Sequence, residues 1–285
     1  MVERFKIPYE KLMVIPVFLL ISSLLIVYFH GLSLGVDLKG GTTVTILLSD
    51  NPSSYEIESL LETELKISDV VVRITQPWGE KNRYAEIDFP LSKEELDMKR
   101  VEEVLSRYGT ITESVSFGAS LSRSFVEQGK KAILIAFFFM AAVVFITFRT
   151  IVPAFAVILA AFSDIVVTLG VMSLLKIPVS LASIAALLVL IGYSVDTDIL
   201  LTTRVLKRKK GSVEDRIWSA METGLTTGGT TIAVVLIMYL IAKFLAVEVI
   251  DQIASVLVIG LFIDMINTWI QNAWIIKIYA ERGKR

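Results

Sequence analysis

Asp164, Asp196, Asp198 and Asp264 stand within or at the end of stretches that otherwise read as hydrocarbon. An ionised acid near the bilayer centre costs on the order of 2.5–3.5 kcal/mol on insertion scales, so such residues are paired or functional. Pairing within the spans is not available, because no Lys or Arg interrupts the apolar runs apart from Lys176 and Lys243 at their edges. The chemistry left to such a carboxyl is proton carriage. It holds a proton when its surroundings are dry, releases it when water enters, and so biases two arrangements of the helices around it.

Depth divides the four acids. At about 1.5 Å rise per residue, Asp164 falls near the middle of the third apolar run, Asp264 close to the centre of the last, and Asp196 roughly 9 Å from its run's midpoint. Asp198, close to Thr202 and Arg204, reads as an interfacial acid. Asp164, Asp196 and Asp264 are therefore the expected proton relay, with Asp198 in a supporting place. Polar companions recur at helical spacing: Gly260, Asp264, Asn267, Thr268 and Gln271 in the last run, and Thr223, Thr227 and Thr231 in the fifth, adjoined by Thr226 and Thr230. Ser163 and Thr168 flank Asp164, and Tyr193 precedes Asp196. Threonine and glycine also serve plain helix packing, so the weight rests on acids and stripes occurring together.

The elements that must position these residues are membrane spans. Of the 285 residues 54% are hydrophobic and they come in long blocks, the composition of a polytopic membrane protein. Nearly uncharged runs lie at about 13–29, 132–148, 151–175, 177–195, 225–242 and 244–276. A bilayer core needs about 20 apolar residues per helix, which gives six transmembrane helices. No small-residue cleavage site follows Phe29-His30, so the first run reads as a retained anchor.

Basic residues set the expected orientation. Arg4, Lys6, Lys11, Arg149, the run Arg204 to Lys210, Arg216, Lys277, Arg282, Lys284 and Arg285 all fall on one side; the opposite turns carry only Lys176 and Lys243. By the positive-inside rule both termini are cytoplasmic and residues 33–125 are extracytoplasmic. The Arg204–Lys210 run reads as an orientation signal touching lipid headgroups, with no nucleic-acid footprint beyond it. There is no cysteine, and His30 is a lone interfacial histidine, so neither a thiol site nor a metal site is expected.

The chain divides into 1–32, the N-terminus and first span; 33–125, an outer domain; and 126–285, a five-helix bundle with a cytoplasmic loop 202–222. In the outer domain Thr42 to Leu48 is a strand, and Asn51-Pro52 opens a helix to about Lys66. Val70 to Thr75 and Arg83 to Phe89 are strands, Ser92 to Glu95 is a capping box opening a helix that Gly109 closes, and Thr110 to Phe117 is the last strand. That order is a ferredoxin-like βαββαβ α+β unit without a catalytic constellation. In the loop, Ser212 to Asp215 caps a short amphipathic helix with Val213, Ile217, Ala220 and Met221 on one face, suited to lying along the membrane.

Gly35-Val-Asp-Leu-Lys-Gly-Gly-Thr42 resembles the glycine-rich motif that opens the outer domain of the SecD/SecF protein-export family. Ile191-Gly-Tyr-Ser-Val-Asp196 resembles that family's fourth-span motif, Phe162-Ser-Asp164-Ile-Val-Val-Thr168-Leu-Gly170 its third-span stretch, and Thr223-Gly-Leu-Thr-Thr227 its fifth. One span, a domain of this size and five further spans is the SecF arrangement. Asp196-Thr197 stands where bacterial members read Asn-Asp, and Ser219 where they tend to carry Arg, which points to an archaeal type.

The resemblance, which extends to resistance-nodulation-division transporters, implies a SecD-like partner paired in pseudo-twofold fashion, a SecY-type channel, unfolded exported polypeptide as the cargo and coupling to the proton motive force. In that frame Gly35, Asp37, Gly40 and Gly41 form the family motif, with Gly40-Gly41 a hinge beneath the outer domain. A small-molecule or lipid exporter subunit of the same superfamily and a purely structural subunit are the alternatives. No nucleophile-base pair, phosphate loop or metal-ligand spacing is present, so neither an enzyme nor a cofactor is expected.

Overall fold

The computed structural model describes residues 8–77, 79–208 and 210–282. Arg4, Lys6, Lys209, Lys284 and Arg285, part of the orientation argument, lie outside them. A turn of helix, α1 (Tyr9–Leu12), leads into α2 (Val14–His30), and a short helix, α3 (Val36–Lys39), precedes the first strand. The outer domain runs β1 (Gly41–Leu48), α4 (Ser54–Leu65), β2 (Val71–Thr75), β3 (Arg83–Phe89), α5 (Met98–Leu105) and β4 (Gly109–Phe117). The bundle follows as α6 (Ala119–Phe148), α7 (Ile151–Leu174), α8 (Leu181–Lys207), α9 (Val213–Leu245) and α10 (Glu248–Ile266), continued through a π-helical stretch Asn267–Asn272 into α11 (Ala273–Arg282). Among the described residues six helices are long and apolar enough to cross a membrane.

The strands form one antiparallel sheet in the order β2-β3-β1-β4. Alternation decides which face is buried: Val44, Ile46 and Leu48 of β1 point with Ala85, Ile87 and Phe89 of β3 toward Ile57 and Leu61 of α4 and Val101 and Leu105 of α5. Two helix starts differ from expectation. Ser53, not Asn51, caps α4 by accepting from the Glu56 amide at 3.2 Å. Ser92 donates its amide and its hydroxyl to the Glu95 carboxylate, only half of a capping box, and the chain merely turns there; α5 begins after Asp97, whose carboxylate accepts from the Arg100 amide.

The bundle begins earlier than expected, since α6 starts at Ala119 and takes the last residues of the 33–125 segment. The region 202–222 is not a loop. Helix α8 runs to Lys207 and α9 starts at Val213 and continues unbroken into the fifth span, with Ser212 and Asp215 forming a full capping box. Val213, Ile217, Ala220 and Met221 pack against Leu201, Val205, Trp269 and Ile276, so this apolar face is covered by neighbouring helices and does not lie on a membrane surface. The basic residues here also do internal work. Arg216, 8% exposed, donates to the carbonyls of Val205 and Arg208 at the end of α8, and Arg204 donates to the carbonyl and hydroxyl of Ser219. Gly170 admits α2 to α7: a Cβ there would sit 2.8 Å from the backbone of Ser23.

Candidate functional site

Asp164 from α7, Asp198 from α8 and Asp264 from α10 meet in one cluster inside the bundle, each 2% exposed or less. Asp164 accepts from the Ser194 hydroxyl at 2.6 Å and from the Asn267 amide at 2.7 Å. Asp198 accepts from Asn272 at 2.6 Å and from Thr268 at 3.1 Å, and the same Thr268 hydroxyl lies 3.2 Å from Asp264. The Asp264 carboxyl is also within hydrogen-bonding reach of Asp164 and Ser194. No ion pair to these acids forms among the described residues. Neutral hydroxyls and amides do all the solvating.

The π-helical stretch makes this possible. A wider turn brings four polar side chains inward in six residues, where an α-helix would carry some of them outward. Asn267, Thr268, Gln271 and Asn272 are all buried there, and Gln271 reaches Ser163 at 3.4 Å. Asp198 Oδ2, Thr202 Oγ1, Asn267 Oδ1 and Asn272 Oδ1 remain without a partner among the described residues. Buried polar atoms without a partner are rare in folded proteins.

Asp196 and Asp198 exchange the places expected of them. Residues two apart on a helix point about 200° from each other, so one faces the bundle and the other faces out. Asp198 is fully buried; Asp196 is exposed, in a surface hollow with Thr203, Arg204, Lys207 and Arg208. The threonine row of α9 also stays apart from the acids. Thr223 and Thr227 turn their hydroxyls back onto their own helix, and the row touches α8 through Tyr193, which donates to Thr231 at 3.0 Å. Thr168 likewise bonds the Asp164 carbonyl of its own helix. Asn272 and Ser194 escaped the sequence reading, although Asn272 lies four residues past Thr268 and Ser194 four before Asp198.

The glycine-rich segment ties the outer domain to the same helix. Asp37 Oδ2 accepts from the Leu181 amide at 2.6 Å, occupying the N-terminal end of α8, while Leu34 and Val179 pair as a parallel bridge. Gly40 and Gly41 make the turn from α3 into β1 with φ of +85° and +144°. A Cβ at Gly41 would lie 2.2 Å from the Phe89 carbonyl oxygen, which restricts the position to glycine.

Six membrane helices carrying one small α+β domain, with acids buried among the third, fourth and sixth, define a multi-pass membrane protein with an acidic cluster inside its bundle. Family models agree: the C-terminal region of the protein export membrane proteins SecD/SecF matches residues 99–282, and the SecD/SecF GG motif matches residues 26–51. The chain belongs to the SecD/SecF family of protein-export membrane proteins. Within it, the protein-export membrane protein SecF of Methanothermobacter thermautotrophicus is 42% identical over 99% of this chain and 96% of its own length. That of Methanocaldococcus jannaschii is 42% identical over 95% of each. The crystal structure of SecDF, a translocon-associated membrane protein from Thermus thermophilus, has a TM-score of 0.80 at 20% identity, covering 97% of this chain and 38% of its own. A heavy metal efflux pump has a TM-score of 0.51 at 11% identity, covering 85% of this chain and 35% of the pump. The two structures share the fold with this chain.

Proposed function

We propose that the chain works as a SecF-like accessory subunit of the Sec translocase, beside a SecD-like subunit and a SecY-type channel, promoting export of unfolded polypeptide with energy from the proton motive force. One observation carries the coupling: three carboxyls from three spans meet without a basic partner, solvated by groups that accommodate either charge state. In this reading Asp164, Asp198 and Asp264 are the relay, Thr268 bridges two of them, and the unpartnered oxygens of Asp198 and Asn272 are where a proton or water enters. The termini are cytoplasmic and the α+β domain extracytoplasmic.

The outward polar groups fit the partner. Asp196 and the exposed Thr226, Thr227 and Thr230 sit on span faces that lipid disfavours, and a SecD-like bundle would cover them. Movement then reaches the outer domain through Asp37 on α8, with Gly40-Gly41 as the pivot. The test is export of an unfolded substrate into membrane vesicles with and without a proton gradient. Asp198→Asn and Asp164→Asn should abolish the gradient-dependent part while complex assembly is retained. If gradient dependence persists in both, the subunit is structural.

A further inference from the structure

The outer domain touches the bundle a second time, through a cluster of charged side chains. On the sheet face opposite the domain's core, Arg73 of β2 lies beside Glu86 and Asp88 of β3, and Glu248, the first residue of α10, reaches up to them. The Arg73 guanidinium is 2.8 Å from Asp88, 3.3 Å from Glu248 and 3.7 Å from Glu86. Glu86 and Glu248 are themselves within hydrogen-bonding reach of each other. One cation thus faces three carboxyls, two of which touch. Thr43 donates to Asp88 at 2.7 Å, Gln252 donates to Glu248 at 3.0 Å, and Ser180 donates to Gln252 at 2.5 Å, so the cluster is wired to the start of α8.

A cavity of about 410 Å³ opens beside it, lined by Tyr239 and Lys243 of α9, Asp251 of α10 and Lys176 of the α7–α8 turn. Lys243 is held by Asp251 at 2.8 Å, which leaves Arg73 as the cation in ion-pair range of Glu86 among the described residues.

We propose that this cluster is a proton-operated latch between the outer domain and the bundle, closed when Glu86 and Glu248 share a proton and released when both are ionised. Two like charges in contact cannot both ionise without penalty, and the penalty here falls on an interface that can open. The attachment through the Asp37 carboxylate and the Leu34–Val179 main-chain bridge carries no such cluster and stays. Opening would therefore be a swing about Gly40-Gly41.

The electrostatics agree with the geometry. Burial and the neighbouring Glu248 carboxyl, opposed by Arg73, raise Glu86 from 4.5 to about 7 in the docked arrangement. An acid whose docked value is raised favours docking fully below its ordinary value and loses that contribution as pH rises through the docked one. The Glu86 contribution to docking is complete below about pH 4.5, falls away between 4.5 and 7, and changes no further above, by at most about tenfold in the docking equilibrium per pH unit.

The cysteine-free chain allows a direct test. Nitroxide labels placed by Asn82→Cys and Leu245→Cys in the full chain, assembled in nanodiscs, report the separation of domain and bundle by pulsed electron spin resonance. The expected result is a single short distance at pH 5 and a growing longer population at pH 8. Glu86→Gln should keep the short distance at both pH values, and Glu248→Gln, on a different element, should do the same if the first variant fails to fold. A distance distribution independent of pH in the parent chain overturns the proposal. So does a variant pair that separates with pH as the parent does, which would assign the movement to the acids of the bundle.

Discussion

The bundle cluster and the outer junction both crowd carboxyls together, but they neutralise them differently. Inside the bundle, Asp164 and Asp198 are met by Ser194, Asn267, Thr268 and Asn272, none of which carries charge. A proton can come or go there without stranding a buried counter-ion, a loss that typically costs 3–5 kcal/mol when one partner of a buried pair is removed. At the junction, Arg73 is permanently charged and half-exposed, and each proton gained or lost changes the net charge across a boundary between two bodies. The same side-chain chemistry suits carriage in the first place and mechanical release in the second.

The sharpest way to break that comparison is to neutralise single acids in the bundle. Asp198→Asn and Asp164→Asn should lower gradient-dependent export by tenfold or more, while Asp196→Asn, on the outward face of the same helix, should change it less than about threefold, about half the tenfold span of 1.4 kcal/mol. Equal losses at positions 196 and 198 would mean that the outward face takes part in the relay.

Stability measurements come next in size. Phe89→Ala empties part of the outer-domain core and should cost about 3–5 kcal/mol, read as faster hydrogen exchange in β1 and β3 with α7 and α8 unchanged. If exchange in the bundle rises equally, the two regions are one cooperative unit. Gly170→Val forces α2 off α7 and should cost about 1–3 kcal/mol, measured as a lower midpoint of thermal unfolding in detergent.

Smaller effects separate the two attachments. Asp37→Ala removes the carboxylate that accepts from the Leu181 amide in the first turn of α8, which keeps its own Ser180 cap, and should cost about 0.5–2 kcal/mol. Arg73→Gln removes, among its three ion pairs, the partly exposed one to Glu248 that crosses to α10, worth up to about 1 kcal/mol, and it should lower the docked fraction a few-fold. A docked fraction that no longer varies with pH in Asp37→Ala would merge the two attachments into one.

Much of this was legible in the residues. β3 falls at Arg83–Phe89 as its alternation predicts, and the six apolar runs become six membrane helices. Helix starts were read less well: Ser92 and Glu95 formed their bonds without a helix behind them, because Asp97 offered a second cap next to the apolar face of α5. The 202–222 segment departs from the expected loop because its charge finds partners inside the bundle: Arg216 donates to carbonyls at the end of α8, and Arg204 donates to the carbonyl and hydroxyl of Ser219 within α9.

The acids show where sequence stops. Hydropathy fixes how deep each Asp lies, because length along a helix maps directly onto depth. It does not fix which way the side chain points, because a membrane helix is apolar on every side and lacks the contrast that reveals the inner face of a soluble one. Leu187, Leu190, Ser194, Asp198, Leu201 and Val205 form the buried stripe of α8, and the exposed Ala185, Val189 and Gly192 leave its outer face just as apolar up to Asp196. The sequence alone therefore determined the spans, the outer fold, the family motifs and the presence of acids without basic partners. Only the packing of α7, α8 and α10 around a π-helical turn decided that Asp198 joins Asp164 and Asp264 while Asp196 faces away, since that choice depends on rotation about the helix axis and on neighbours distant in the chain.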